Sequence, residues 1–531
     1  MRRVGVSTVV AAALIVPLLI LLPPDVFWIT DEGTKFIALQ SLDRTGSVRI
    51  DYPGRVLDPA MRLLPDGGHH LIRTPRGVLA LFLPWFQFLT LLPYRIAGTH
   101  GLYLVPAIGT LLTIAATAWM AGKNGAYAGL IVLIATPVLF YTFTYWEHTI
   151  ALGLSTLAMA LLTKKDWRAA AAAGALLATS SLLREEGYLL TAAVSMALLV
   201  RDRSIRPALE TAAGFAAVIT PAWLWHLQLY GSPLGLHSTV YASYSGSASL
   251  VRTAYDLLLR FGRDWRVGVV VAVPMLLALV LPRRFSRWVL LAQACAGALA
   301  VAALLRSADP VFDTAFYSGL LPALPFLVLV FLDWREAGRF HMLIAVLFIA
   351  GACLRLNTSG TWIIWGPRHF LPIMPLLVLM AWEAWKRLDR PRLALLVIAC
   401  GVAMQSYGVY VLWIKKDATM QIKNALVASG GGVVITDVFW LPQEMSSLFY
   451  DRIFLLTKTD ADLRYALEAC RRAGVREFTF VASRRYRRLS NHALAPILSA
   501  AQKKIHVAPR RVPFMETMIL RVPTSSLSPE P

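Results

Sequence analysis

The chain runs to 531 residues, is 57% hydrophobic and only 16% charged, and has a mean hydropathy of +0.58. A soluble protein of this length carries more charge, so a wholly soluble enzyme is excluded and a polytopic membrane protein is implied. The 52 Lys and Arg against 31 Asp and Glu give a net charge of +21. That excess lies mostly in short segments between apolar runs, so it reads as a topology signal and not as a nucleic-acid surface.

The first apolar run, Val4 to Pro24, follows Arg2 and Arg3. Its length, its internal Pro17 and the lack of an A-x-A cleavage site predict a retained anchor and not a signal peptide. Asp31 and Glu32 stand just beyond it, followed by Gly33, Thr34 and Lys35. Acidic side chains near a bilayer are costly to desolvate. One of the pair is a candidate general base, its pKa raised by burial and by its like-charged neighbour. The plainer alternative is an acidic helix N-terminus favoured by the macrodipole.

A long external loop follows, spanning 25–100 and carrying Asp43, Asp51, Asp58, Asp66, His69, His70, Arg73 and Arg76. Within it, Val78 to Ala97 is apolar but interrupted by Pro84, Gln87, Pro93 and Arg95. If this run crossed the membrane, every later basic cluster would change sides. It is therefore expected to lie in the outer interface as a helix.

Beyond it, basic clusters recur at Lys164, Lys165 and Arg168; Arg201, Arg203 and Arg206; Arg283, Arg284 and Arg287; Arg335 and Arg339; and Lys386, Arg387, Arg390 and Arg392. Two apolar runs separate consecutive clusters, which places all of them on the cytoplasmic face together with the N-terminus. The expected spans are 4–24, 101–121, 125–143, 149–163, 169–183, 187–200, 207–228, 267–281, 288–305, 318–332, 341–356, 369–385 and 393–414. That makes about thirteen, and it leaves the C-terminal tail outside a plasma (inner) membrane. No internal repeat is visible. Cys295, Cys353 and Cys400 fall in apolar runs and Cys470 stands alone in the tail, so no disulfide framework or metal-ligand spacing can be built.

The polar segments of the outer face carry three further candidates. Trp146-Glu147-His148-Thr149 ends one span, and an interfacial aromatic belt is the plainer reading of it. Arg184-Glu185-Glu186-Gly187 interrupts an apolar stretch with three charges, suited to anion binding or to a structural ion pair. Gly366-Pro367-Arg368-His369 opens a later span. Arg368 suits bidentate phosphate binding, His369 can add a donor, and an outer-face Arg runs against the charge bias.

The tail from Lys415 to Pro531 holds 18 Lys and Arg against 10 Asp and Glu. Val433–Thr436 and Phe478–Val481 read as buried strands. Asp460–Ala473 reads as a helix capped by Asp460 or Asp462 and ended by Gly474. A small α/β soluble domain is expected, with Thr524–Pro531 disordered. The domains are then 1–414, a transmembrane region including the loop, and 415–531.

Taken together, these residues resemble the GT-C superfamily of integral-membrane glycosyltransferases, above all the bacterial members related to aminoarabinose transferases and protein O-mannosyltransferases. Asp31-Glu32 matches that family's acidic pair in the first external loop. Thr74-Pro75-Arg76-Gly77 leading into Val78–Ala97 matches its interfacial helix. Tyr145 to Thr149 matches its polar patch, although Glu147 stands where relatives often have Asp. The resemblance implies a polytopic α-helical fold that moves a sugar from a polyprenyl-phosphate donor to an acceptor hydroxyl, with inversion. Asp31 would be the base, and Glu32 would place it or the acceptor. Arg368, His369, Arg184, Glu185, Glu147, His148 and Lys35 would be the substrate- and phosphate-binding set. No cofactor is implied, and a divalent metal is not expected. The implied partners are the polyprenyl-phosphate donor, a lipid, glycan or protein acceptor and membrane lipid.

Two other classes compete. A transporter or flippase predicts ionisable residues at mid-bilayer depth and paired repeats, whereas these charges gather at one face. A non-catalytic scaffold predicts tolerance of Asp31→Asn.

Overall fold

The computed structural model describes residues 2–244, 249–263, 265–335, 338–355, 363–388, 391–483, 485 and 488–526. Residues 357–362, which precede Gly366-Pro367-Arg368-His369, Arg390 and residues 527–531 of the expected disordered end lie outside the described residues. The chain forms two compact units. One comprises Met1–Leu21 and Leu102–Val411, and the other Leu22–Gly101 and Leu412–Pro531. The long loop, grouped by chain order with the spans, is thus one body with the tail.

The first unit is helical. Its helices join through small residues, which let backbones approach where the lipid supplies no hydrophobic drive. Trp167–Leu183 is an alanine-rich helix whose N-cap Asp166 accepts from the N–H groups of Arg168 and Ala169. It packs on Arg206–Tyr230. A Cβ at Gly174 would stand 1.9 Å from the Thr211 carbonyl oxygen, and one at Gly214 would stand 1.9 Å from that of Ala171. Helices cover the apolar runs, but the 125–143 run is broken into Gly125–Ile134 and Val138–Tyr141, and the 318–332 run into Leu320–Ala323 and Leu327–Leu332. Among the described residues, the helices long and apolar enough to cross a membrane by length and composition are Trp85–Ala121, Arg283–Leu305 and Pro391–Ser429. The structure thus supports a helical membrane protein and does not by itself yield about thirteen spans.

The second unit holds all the described strands. β1 (Arg49–Ile50), β2 (Leu71–Thr74) and β3 (Gly77–Ala80) make an antiparallel sheet with β3 central. This corrects one expectation. The Val78–Ala97 run is helical only from Trp85 to Ala97, and its first residues are a strand. Val78, Leu79, Ala80 and Leu81 are all buried, as a central strand covered on both faces requires.

In the tail, β4 (Val433–Thr436) is parallel to β5 (Ile453–Leu456) and β6 (Glu477–Ser483). β7 (Lys503–Val507) and β8 (Thr517–Pro523) extend the sheet antiparallel in the order β5-β4-β6-β8-β7. The expected helix spans Asp460–Arg472, but Thr459 is its cap, in a reciprocal capping box with Asp462. Gly474, at φ +67, ends it. Thr524–Ser526, expected to be disordered, forms a turn with Thr524 buried.

The core of this unit is shared. Leu57 and Leu63 of the loop pack with Val433, Ile435, Leu455, Leu463, Phe478 and Ile497 of the tail. Polar ties reinforce them. Asp58 accepts from the Leu63 N–H at 2.6 Å and the Tyr465 hydroxyl at 3.2 Å, and the Tyr52 hydroxyl donates to the Phe454 carbonyl at 2.8 Å.

Candidate active site

In the loop-and-tail unit, Asp31 and Glu32 occupy the first turn of the helix Thr30–Thr45, whose N-cap, Ile29, supplies no side-chain bond. Two carboxylates there complement the macrodipole. Adjacent positions on a helix are rotated about 100° apart, so the pair diverges. Asp31 stays partly accessible, its side chain 19% exposed, with Oδ1 3.4 Å from His70 Nε2. Lys35, one turn on, shares that flank, with Nζ 4.4 Å from the centre of the Phe82 ring. The same ring lies 5.5 Å from that of His70. Asp31, His70, Phe82 and Lys35 thus form one cluster.

Glu32 turns the other way and is fully buried, accepting from the Trp28 N–H at 3.3 Å. The C-terminal half of the long helix Pro391–Ser429 and the short helix Leu441–Glu444 supply charge on that side. Lys415 pairs with Glu444 and donates to the Phe27 carbonyl at 3.3 Å, and Lys416 donates to the Pro23 carbonyl at 2.9 Å. Lys415, Lys416 and Glu444 each interact electrostatically with Glu32. Burial pushes the Glu444 carboxyl up to about 7, against the pull of Lys415.

In the helical unit, six further candidates fall into two groups. Arg184, at the C-cap of Trp167–Leu183, reaches Glu186 with Nε at 3.1 Å and a terminal nitrogen at 2.7 Å. Its other terminal nitrogen lies 3.1 Å from Glu147 Oε1. His369 Nδ1 lies 2.9 Å from Glu186 Oε1, and Arg368 Nε lies 3.5 Å from His369 Nε2. The Arg368 guanidinium stands 5.7 Å from the Trp146 ring, which packs edge-on against His148 at 4.9 Å. His148, Arg184, Glu186 and Arg368 line one small cleft. Glu186 and Glu147 already take the Arg184 charge, so Arg368 is the guanidinium of this cleft suited to an anionic group.

Glu185 does not join them. It is 44% exposed and pairs with His237 Nδ1 at 2.7 Å. The carboxylate inside the cluster is its neighbour, Glu186, which the sequence shows beside it but does not single out. Sequence reasoning also passed over Arg260 and Arg263. Arg260 lies 4.7 Å from the Phe316 ring and 3.4 Å from Asp256, while Arg263 Nε is held by Asp313 at 2.8 Å. No motif surrounds them, and their place in the polar stretch between the expected spans 207–228 and 267–281 is the sole signal.

No family model and no curated protein matches the sequence. Solved structures do match. ArnT, an aminoarabinose transferase from Cupriavidus metallidurans, superposes in the apo state with a TM-score of 0.53 at 13% identity, over 98% of this chain and 99% of that one. The same protein bound to undecaprenyl phosphate gives a TM-score of 0.50 at 13% identity, over the same shares of both chains. The likeness expected from the acidic pair, the interfacial helix and the polar patch is thereby borne out at the level of architecture: the chain shares the fold of ArnT along nearly its whole length.

Proposed function

We propose that this protein is a membrane glycosyltransferase that moves a sugar from a polyprenyl-phosphate donor to an acceptor hydroxyl at the extracytoplasmic face of the plasma membrane. About thirteen spans would put the N-terminus inside and the tail outside. The observation that carries this reading is the divergence of Asp31 from Glu32. Asp31 is accessible and beside a histidine, while Glu32 is sealed among lysines. A base must reach its proton, and Asp31 is the member of the pair able to do so.

Asp31 takes the proton of the acceptor hydroxyl as its oxygen bonds to the anomeric carbon. The carbon–oxygen bond to the phosphate breaks on the opposite side, so configuration inverts. The polyprenyl phosphate leaves with the bonding electrons, and the charge that develops calls for a cation; within the helical unit, Arg368, with Arg184 and His369 near it, is the candidate for that group. Lys35, one turn on from Asp31 and fully buried, is a second cation of the site, its charge acting on the surroundings of Asp31. Glu147 and Glu186 hold the Arg184 guanidinium, and Arg184 bridges them. Support for the donor class comes from the fold shared with ArnT in its complex with undecaprenyl phosphate.

The test uses membranes containing the protein, a panel of polyprenyl-phosphate sugars and an acceptor extract, with sugar loss from the lipid followed by mass spectrometry. Wild type is expected to consume one donor, with and without chelator. Asp31→Asn is expected to lose about two orders of magnitude or more in turnover. Equal donor consumption by Asp31→Asn and wild type sinks the assignment.

A further inference from the structure

The tail of this chain does more than decorate the outer face. The backbone leading into the acidic helix is strapped to it at every step. Pro23 accepts from Lys416, Asp25 pairs with Lys423, and Phe27 accepts from Lys415 while its own N–H donates to the Glu444 carbonyl at 3.1 Å. Inside the helix, Gly33 lies against the tail so closely that a Cβ would stand 1.8 Å from the Gln443 carbonyl oxygen. Backbone on backbone cannot yield as a flexible side chain would. Glu444, Lys415 and Lys416 are all buried, as is Glu32. Charges taken from water are retained only where they are paired, and Lys415 is the group that attracts both Glu444 and Glu32.

We propose that Lys415 and Glu444 are positioning residues for the transfer reaction: by fixing Glu32 and the Phe27–Trp28 approach, they set where Asp31 stands. This rests on the proposed role of Asp31. It assigns the start of the tail to the base and not to acceptor choice. Neither residue touches the reacting atoms; both act through the first turn of the helix Thr30–Thr45.

The experiment takes the full chain in lipid and compares wild type with Glu444→Gln, Lys415→Met and Gly33→Ala. Arg62→Ala serves as control, since it removes an exposed ion pair to Asp462 in the same unit. Two readouts are taken: amide hydrogen exchange across residues 27–38, and kcat and KM for the donor. In the three variants, exchange in 27–38 is expected to rise roughly tenfold or more while β4 and β6 remain protected. In step with it, kcat should fall at least about tenfold with KM within about twofold.

Unchanged exchange in 27–38 overturns the proposal, and so does a rise spread evenly over the whole unit, which marks a merely structural role. Faster exchange with unchanged kcat also overturns it, as does a rise confined to the acceptor KM. Should Glu444→Gln fail to fold, Gly33→Ala decides, because it disturbs the same contact without touching a charge. If wild type consumes no donor, the transferase reading fails by itself and the exchange data still judge the positioning.

Discussion

Arg184 grips Glu186 with two nitrogens, at 3.1 and 2.7 Å, while a third reaches Glu147 at 3.1 Å. One guanidinium thereby bridges two buried carboxylates at the starts of different helices and offsets one of their two negative charges. Lysine, a single point of charge, cannot reproduce that fork.

Arg184→Met should accordingly be among the costlier single changes in the helical unit. It leaves two buried carboxylates with less compensation, and breaking such pairs costs about 3–5 kcal/mol. Thermal unfolding in detergent would show a large drop, with Arg184→Lys falling between. A Tm for Arg184→Met within error of wild type would contradict the burial of this cluster.

Glu185 and Glu186 should part company on substitution. Glu185→Gln removes a half-exposed pair and should shift stability by no more than about 0.5 kcal/mol. Glu186→Gln strips the charge that Arg184 and His369 share, and should cost about 2–3 kcal/mol or more along with most donor turnover. Side-by-side unfolding and turnover measurements check it; equal effects would mean the helix phase at Glu186 is misassigned.

Asp58 offers a test of the union between loop and tail. Its carboxylate joins Leu63 to Tyr465, so Asp58→Ala leaves a buried N–H and a hydroxyl without their acceptor, at about 1–3 kcal/mol. Limited proteolysis should then cut the loop near residues 58–66 faster. Tyr52→Phe, which removes the bond to the Phe454 carbonyl, should act in the same direction at about 1 kcal/mol.

Glu444 gives the unit a pH dependence. Its folded pKa, about 7, lies above the ordinary 4.5. A raised carboxyl pKa contributes stability fully present below the unfolded value and lost as pH rises through the folded one. The unit should thus lose on the order of 3 kcal/mol from this group between about pH 4.5 and 7. Infrared spectroscopy checks the assignment directly: a protonated-carboxyl band should disappear near pH 7 in wild type and be missing from Glu444→Gln.

The sequence displayed the parts of the site but not their partners. The acidic pair was legible because two carboxylates beside an apolar run are expensive. Which of them is accessible was not, because the choice depends on Lys415, Lys416 and Glu444, far along the chain. The same holds for Glu185 and Glu186, where helix phase decides and one residue of error reverses the answer. In the tail, β4, β6 and the helix Asp460–Arg472 announced themselves through β-branched runs and a capping signal. The β1–β3 sheet did not, because Val78–Leu81 reads equally well as part of a helix until its strand partners are known.

The shared core of Leu57 and Leu63 with Phe478 and Ile497 has a bearing on how the protein is made. Ribosomes deliver the loop hundreds of residues before the tail that completes its interior. The loop must therefore wait, across the insertion of the intervening helices, with apolar side chains uncovered and open to aggregation or proteolysis. Closing so distant a contact is slow. A chain truncated before β4 would strand the acidic helix on an unfinished body, and a quality-control protease should find it there.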